Sequence, residues 1–263
     1  MPRGVPSEGT AEAWARDYVL SERLEHKLAP PPRPRVLVGE GVAIARPGRP
    51  PELAPAARPP KTPRPGALGD PRKRAQLLHV FLHHELQAAE LMCWALLRFP
   101  DAPAAFRRGL LSICDDEIRH ARLYAERVEA LGFAVGAFPV RDWFWERVPA
   151  ASSPLAFVAL FGIGLEGANL DHAARFGAAL RAAGDEQSAA VQDLVGREEE
   201  AHVRFAVRWF ERWASPLALD RWREALPPPL SPIVMRGRPL AREARVRAGQ
   251  PPAFVDALEA YVP

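Results

Sequence analysis

The sequence predicts an all-α chain built on two long helical hairpins, and three observations carry that prediction. Proline crowds residues 30–71, is sparse from 72 to 215 and returns in "PPPLSP" at 227–232. Proline breaks helices, so the quiet middle is where long helices fit. Within that middle, apolar residues recur at helical spacing over four segments. The first and second segments, and the third and fourth, are joined by a few residues, whereas the 20 residues "GFAVGAFPVRDWFWERVPAA" separate the second from the third.

The first segment runs from about Arg72 to Phe99, with Leu78, Phe81, Leu82, Met92 and Leu96 on one stripe. "FPDAP" stops it, and Asp101 is available to cap the next. The second runs from Ala104 to Leu131 and ends at Gly132. The third starts after "SSP", where Pro154 suits a first helical turn, and ends near Gly184. The fourth runs from Asp185 to Trp213 and stops before Pro216. Short joins make antiparallel hairpins. The long join can cross the length of a bundle and set the second and third segments parallel. Two hairpins joined by one long crossover describe a ferritin-like four-helix bundle.

The flanks read differently. Residues 10–28 fit one amphipathic helix, with Trp14, Tyr18 and Leu24 available to pack. Residues 29–71 hold 13 prolines, yet Val36, Leu37, Val38, Val42, Ile44 and Leu53 interrupt them. A disordered linker has little use for so many aliphatic side chains, so this stretch predicts an extended strap laid on the helices. Residues 216–263 predict a proline-rich extension with short helices in "LAREARVRA" and "AFVDALEAY". The expected organisation is therefore 1–71 as N-terminal helix and strap, 72–215 as bundle and 216–263 as extension.

Apolar residues at 48% and charged residues at 25% describe an ordinary globular protein. Two cysteines, Cys93 and Cys114, exclude a disulfide framework and a four-thiolate metal site, and they read as small core residues. No run of 18 apolar residues predicts a membrane span, and the start of the chain lacks the apolar core of a signal peptide. A cytoplasmic monomer or dimer is expected. The net charge of +3 is small for a nucleic-acid protein. Only Lys27, Lys61 and Lys73 are lysine, so the basic residues reflect arginine-favouring codon usage more than an RNA partner. In the tail, Arg236, Arg238, Arg242, Arg245 and Arg247 offer either an entrance for an anionic substrate or a solvated basic surface.

The chemistry lies in the hairpins. "DDEIRHARLY" places Glu117 three residues before His120, and "REEEAHVRF" repeats the spacing with Glu199 and His202. Glu85 and Glu117 lie 32 residues apart about the first turn, and Glu166 and Glu199 lie 33 apart about the second. Each pair therefore sits at one height in its hairpin. Helical periodicity puts Glu85 with Leu78, Phe81, Leu82 and Met92; Glu117 and His120 with Leu110, Ile113 and Tyr124; Glu166 with Ala159, Ile163 and Leu170; and Glu199 and His202 with Val195, Ala206 and Trp209. A single E-x-x-H is usually a surface pair. Four carboxylates and two imidazoles at one level can hold two divalent metals.

Glu90 is the rival to Glu85 as ligand. It lies five residues nearer the turn, about 7.5 Å along the axis and rotated about 140°, which favours Glu85. Asp116 and Glu198 each precede a ligand histidine by four residues and could orient it or pair with surface cations. Tyr124 is a further candidate beside the metals. His79, His83 and His84 read as structural or supporting groups.

The stretches "HHELQAAELMCWALLRFPD", "DDEIRHARLY", "GLEGANLDH" and "REEEAHVRF" resemble a family of bacterial ferritin-like proteins of undescribed function, related to the tRNA hydroxylase that oxidises a prenylated adenosine. The resemblance covers most of the chain, including "EAWARDYVLSERLEHKLAPP" and "AREARVRAG". It implies two irons and O2, with Glu85, Glu117, His120, Glu166, Glu199 and His202 as ligands. His172 in "LDHAARF" departs from the family pattern. It lies six residues after Glu166 and is a surface histidine, an added ligand or a substrate contact.

These readings predict a di-iron oxidoreductase that uses O2 on an unidentified small molecule or modified nucleoside, with tRNA a weaker alternative. Manganese, or a mixed pair, suits the same ligands. No flavin, nicotinamide or thiol-cluster signature is present, so an external electron donor is expected. Iron handling, peroxide removal and a purely structural metal centre are the competing expectations. Proline-rich flanks fit a ferritin cage poorly, and two cysteines cannot build the four-cysteine iron module of rubrerythrin-like peroxidases.

Overall fold

The computed structural model describes residues 5–58 and 61–262. The first residues of the N-terminal segment, Pro59 and Pro60 of the strap and Pro263 of the tail lie outside the described residues. The described chain is all-helical, and its only strand-like feature is an isolated parallel bridge between Pro55 and Val140. It divides into two compact units, Met1–Pro149 and Ala150–Pro263. Each carries one long hairpin.

In the first unit, α1 spans Ala11–Leu20, α2 Leu24–Leu28, α3 Pro71–Arg98 and α4 Ala104–Ala130. The start of α3 follows from "GDP": Asp70 accepts from the Arg72 amide, and Pro71 occupies a first-turn position where its missing N–H costs nothing. The end of α4 is set by Gly132 at φ 85°, a left-handed conformation that suits glycine. Leu77, Leu78, Leu82, Leu86, Leu91 and Leu96 of α3 are closed to solvent, as are Phe106, Leu110 and Val128 of α4.

The single N-terminal helix expected over 10–28 is instead two. Ser21 takes an extended conformation and breaks it. Lys27 explains the break: its ammonium turns back and donates to the carbonyl oxygens of Tyr18 (2.8 Å) and Val19 (2.9 Å), supplying donors that a continuing helix would have provided.

The proline-rich stretch runs along α1 and α3, largely extended but with 3-10 turns at Pro51–Leu53 and Pro65–Ala67. Backbone bonds tie it down, from Val42 to the Leu97 carbonyl (3.2 Å), from Gly48 to the Val19 carbonyl (2.9 Å) and from Ala56 to the Val140 carbonyl (3.0 Å). Its Ile44, Leu53 and Leu68 are buried, while Val36 and Val38 stay exposed. Gly48 is required, because a Cβ there would stand 2.1 Å from the Leu20 carbonyl oxygen.

In the second unit, α5 spans Pro154–Phe157 and continues through a π-helical stretch, Val158–Leu165, into α6, Glu166–Ala182. Then follow α7, Glu186–Ala214; α8, Leu219–Ala225; α9, Arg242–Arg247; and α10, Pro252–Ala260. Ser153 and Asp185 cap α5 and α7 by accepting from Ala156 and Ser188 amides. A regular α-helix was the expectation for the whole of Pro154–Gly184, and the π stretch corrects it. Gly162 lies in that stretch, and a Cβ on it would meet the Ala206 side chain of α7 at 2.3 Å. Two small residues thus let this stretch and α7 approach closely. The segment Pro154–Ala182 is long and apolar enough to cross a membrane by length and composition, but 83% of its most apolar window is buried inside the fold, as in a core helix.

The tail is fastened to this hairpin. The Trp222 indole donates to the Ala159 carbonyl (2.8 Å) and meets Phe254 edge-on. Arg245, closed to solvent, forms a two-pronged pair with Asp171 of α6 at 2.9 and 2.7 Å. This corrects both expectations for Arg245, a place at an entrance and a place on a solvated basic surface. Arg236 is spent on the Leu258, Glu259 and Tyr261 carbonyls, Arg242 on Asp256 and Arg247 on Glu200.

Candidate metal centre

Each hairpin carries the same three groups. In the first unit, α3 supplies Glu85, and α4 supplies Glu117 and His120. The His120 Nδ1 lies 3.6 Å from Glu85 Oε2 and 3.5 Å from Glu117 Oε2. Glu117 and His120 are closed to solvent, and Glu85 is 5% exposed. In the second unit, α6 supplies Glu166, and α7 supplies Glu199 and His202. The His202 Nδ1 stands 3.0 Å from Glu199 Oε2. Glu199 is fully buried, and Glu166 and His202 are nearly so. Glu166 is the first residue of α6, directly after the π stretch, and its amide bonds the Phe161 carbonyl five residues back. Helix periodicity therefore does not relate Glu166 to Ala159 and Ile163 as a regular helix would. π-turns occur preferentially at functional positions.

The donor sets fit a hard or borderline divalent ion. Burying carboxylates is costly unless positive charge offsets it. Oxygen and imidazole donors held at about 2.1 Å from an octahedral ion stand about 3 Å from each other. The nitrogen–oxygen separations of 3.0–3.6 Å within the hairpins have that spacing. A buried group containing Glu85, Glu117 and His120 could thus hold a metal ion.

The other candidates fall in different places. Glu90 is 0% exposed but sits in a separate network. It accepts from Lys27 Nζ (2.6 Å), Arg49 Nη1 (2.5 Å) and Trp145 Nε1 (2.8 Å). Burial alone would raise its carboxyl, but Arg49 and Lys27 hold it below the usual range. Arg49 bridges on to Asp142 (2.9 Å), and Asp142 reaches His83 Nε2 at 3.0 Å. Asp116 pairs with Arg119 (2.8 Å), so it contributes at least one ion pair on the surface of α4. Glu198 is half-buried on α7. Tyr124 is closed to solvent and packs 5.5 Å from Phe81. His172 is half-buried near Phe176, and burial lowers its pKa, which keeps its ring neutral near pH 7. His79 accepts the Gly136 amide through Nε2 (2.8 Å), and His84 packs 4.8 Å from Phe144. Cys93 and Cys114 are buried free thiols with sulfurs 3.5 Å apart.

Sequence reasoning missed the Glu90 network and the Asp171–Arg245 pair. One signal was available: Lys27 is one of three lysines in an arginine-rich chain. Its three donors are all used on the Tyr18 and Val19 carbonyls and on Glu90.

Comparison with curated proteins and with solved structures returns no match for the chain. The model of the family described as "Protein of unknown function (DUF455)" matches residues 9–256, and the chain belongs to that family.

Proposed function

We propose that this protein is an O2-activating dimetal-carboxylate oxidoreductase, with Glu85, Glu117, His120, Glu166, Glu199 and His202 as its metal ligands. The observation that supports it most is the repetition: two hairpins of different sequence each bury two glutamates and a histidine, at separations of 32 and 33 residues about their turns. A single buried Glu–His pair serves packing well enough. Two matched sets argue for a shared cation load.

Iron is the first choice for both metals, and manganese or a mixed pair accepts the same donors. When bound, such a centre supplies electrons to O2 and open positions at which it can react. The chain's own residues do the rest. The four glutamates would hold the metals through their carboxylates, and His120 and His202 would each add an imidazole from the same helix face as Glu117 and Glu199. Leu78, Leu82, Leu110, Ile113 and Tyr124 on α3 and α4, and Leu170 and Val195 on α6 and α7, are buried and make the helices that carry the ligands apolar, which favours exclusion of water. The proposed setting is the cytoplasm, with a small molecule or modified nucleoside as substrate and an external electron donor.

The test is metal analysis of protein produced with iron and manganese both supplied, followed by oxygen uptake after reduction. Two metals per chain and rapid uptake are expected. Stoichiometric metal without oxygen uptake would leave a structural centre in place of an enzyme.

A further inference from the structure

Beyond the ligands, α7 carries a line of aromatic rings, Phe205, Trp209 and Trp213. Trp209 lies seven residues after His202 and Trp213 eleven. At 100° per residue these positions fall about 20° either side of the His202 direction, at about 10.5 and 16.5 Å along the axis. The two indoles are 4.9 Å apart between ring centroids, and Phe205 packs against Trp209 at 6.3 Å. Trp209 is 9% exposed, whereas Trp213 is half-buried and opens to solvent on one side.

We propose that Trp209 and Trp213 form a one-electron conduit that carries oxidising equivalents away from the metal centre when no substrate consumes them. This rests on the dimetal reading. In the first step, one electron leaves the Trp209 indole and fills the vacancy in the oxidised centre. In the second, Trp213 gives one electron to Trp209. An external one-electron reductant such as ascorbate then returns the electron to the Trp213 radical cation. Two oxidising equivalents leave in two passes.

The surroundings give the conduit a direction. The Arg212 guanidinium lies over the Trp209 ring at 5.3 Å, so positive charge on that ring is opposed. Trp213 is more exposed than Trp209, which puts the outer end of the pair nearer a reductant in solution. Phenylalanine is much harder to oxidise than indole, so Phe205 is a wall of this path and not a stop on it.

The experiment challenges iron-loaded protein with hydrogen peroxide in the absence of substrate. Tryptophan oxidation products are then located by peptide mass spectrometry, and radicals by electron paramagnetic resonance. Oxidation concentrated at Trp213 is expected, with little at the buried Trp94 and Trp222. Trp213→Phe should shift the products to Trp209. Trp209→Phe should remove them from Trp213 at unchanged iron content. Equal oxidation of Trp213 in metal-free protein, or in the Trp209→Phe variant, overturns the conduit, as does iron-loaded protein with no oxidised Trp209 or Trp213. Protein that takes up no iron overturns the dimetal reading, and the conduit falls with it.

Discussion

Lys27 places its ammonium 2.6 Å from the Glu90 carboxylate, with both side chains closed to solvent. The pair joins α2 to α3 across 63 residues of sequence, and Arg49 from the strap closes on the same carboxylate. Glu90 is thereby a fastening point for the N-terminal flank. Removing one partner of a buried ion pair leaves the other charge uncompensated, at a cost of about 3–5 kcal/mol. Glu90→Gln should lower unfolding free energy by that amount in denaturant titration and leave metal content unchanged at temperatures where the protein is folded. Folded Glu90→Gln protein without metal would make Glu90 a ligand after all.

The ligands should behave in the opposite way. Glu117→Ala and His202→Ala each remove a donor, one from each hairpin, and metal content should fall several-fold in both. Stability of the metal-free protein should change little, or rise, because a costly buried polar group is gone. Elemental analysis beside thermal melts of the metal-free forms checks both halves. Full metal occupancy in either variant would remove that residue from the centre.

Much of this was legible in the sequence because it depends on local rules. Pro154 and Gly132 mark a helix start and a helix end by a first-turn proline and a left-handed backbone, and neither depends on tertiary context. Glu–x–x–His at helical spacing puts both groups on one face of α4 and of α7 without further information. What stayed hidden was long-range or energetic. The break at Ser21 goes with a Lys27 that bonds back to the Tyr18 and Val19 carbonyls and also pairs with Glu90, 63 positions away. The π stretch before Glu166 contains Gly162, which lies close against Ala206 of α7, and no periodicity within Pro154–Ala182 encodes that approach. Arg245 looked like its surface neighbours, because nothing local distinguishes an arginine whose partner, Asp171, lies 74 residues earlier.

His79 should make the protein acid-sensitive. Burial pushes its pKa from 6.5 down to about 4, with His83 adding a smaller effect, and its Nε2 accepts the Gly136 amide. The folded state therefore holds a neutral ring. As pH falls below 6.5, the unfolded chain binds the proton first, so this contribution is full above that pH and is lost progressively toward pH 4. The whole effect is about 3 kcal/mol, of which about 2 is gone by pH 5. His79→Gln keeps an acceptor for the amide but does not titrate there. Denaturant unfolding of the metal-free proteins at pH 7 and pH 5 should show a smaller drop for the variant, by about 2 kcal/mol. Equal drops would mean that the ring is not held neutral.

Asp171 should decide whether the tail stays on its hairpin. Its carboxylate accepts from both ends of the Arg245 fork and from the amides of Gly237 and Ala241, each at 2.7 Å, so one side chain orders about a dozen residues. Gln250 adds a bond to Arg245 at 3.1 Å. Gly237 suits the close approach, since a Cβ there would meet the Asp171 Cβ at 2.4 Å. Asp171→Asn keeps the shape but removes the charge that offsets the buried guanidinium, and such losses cost about 3–5 kcal/mol. The loss should appear as opening of the tail before global unfolding, because α6 and α7 keep their own packing. Limited proteolysis should therefore cut within 237–250 much faster in the variant, with helical content and the α6–α7 fragment preserved. Unchanged cleavage there would mean that Trp222 and Phe254 hold the tail without the ion pair.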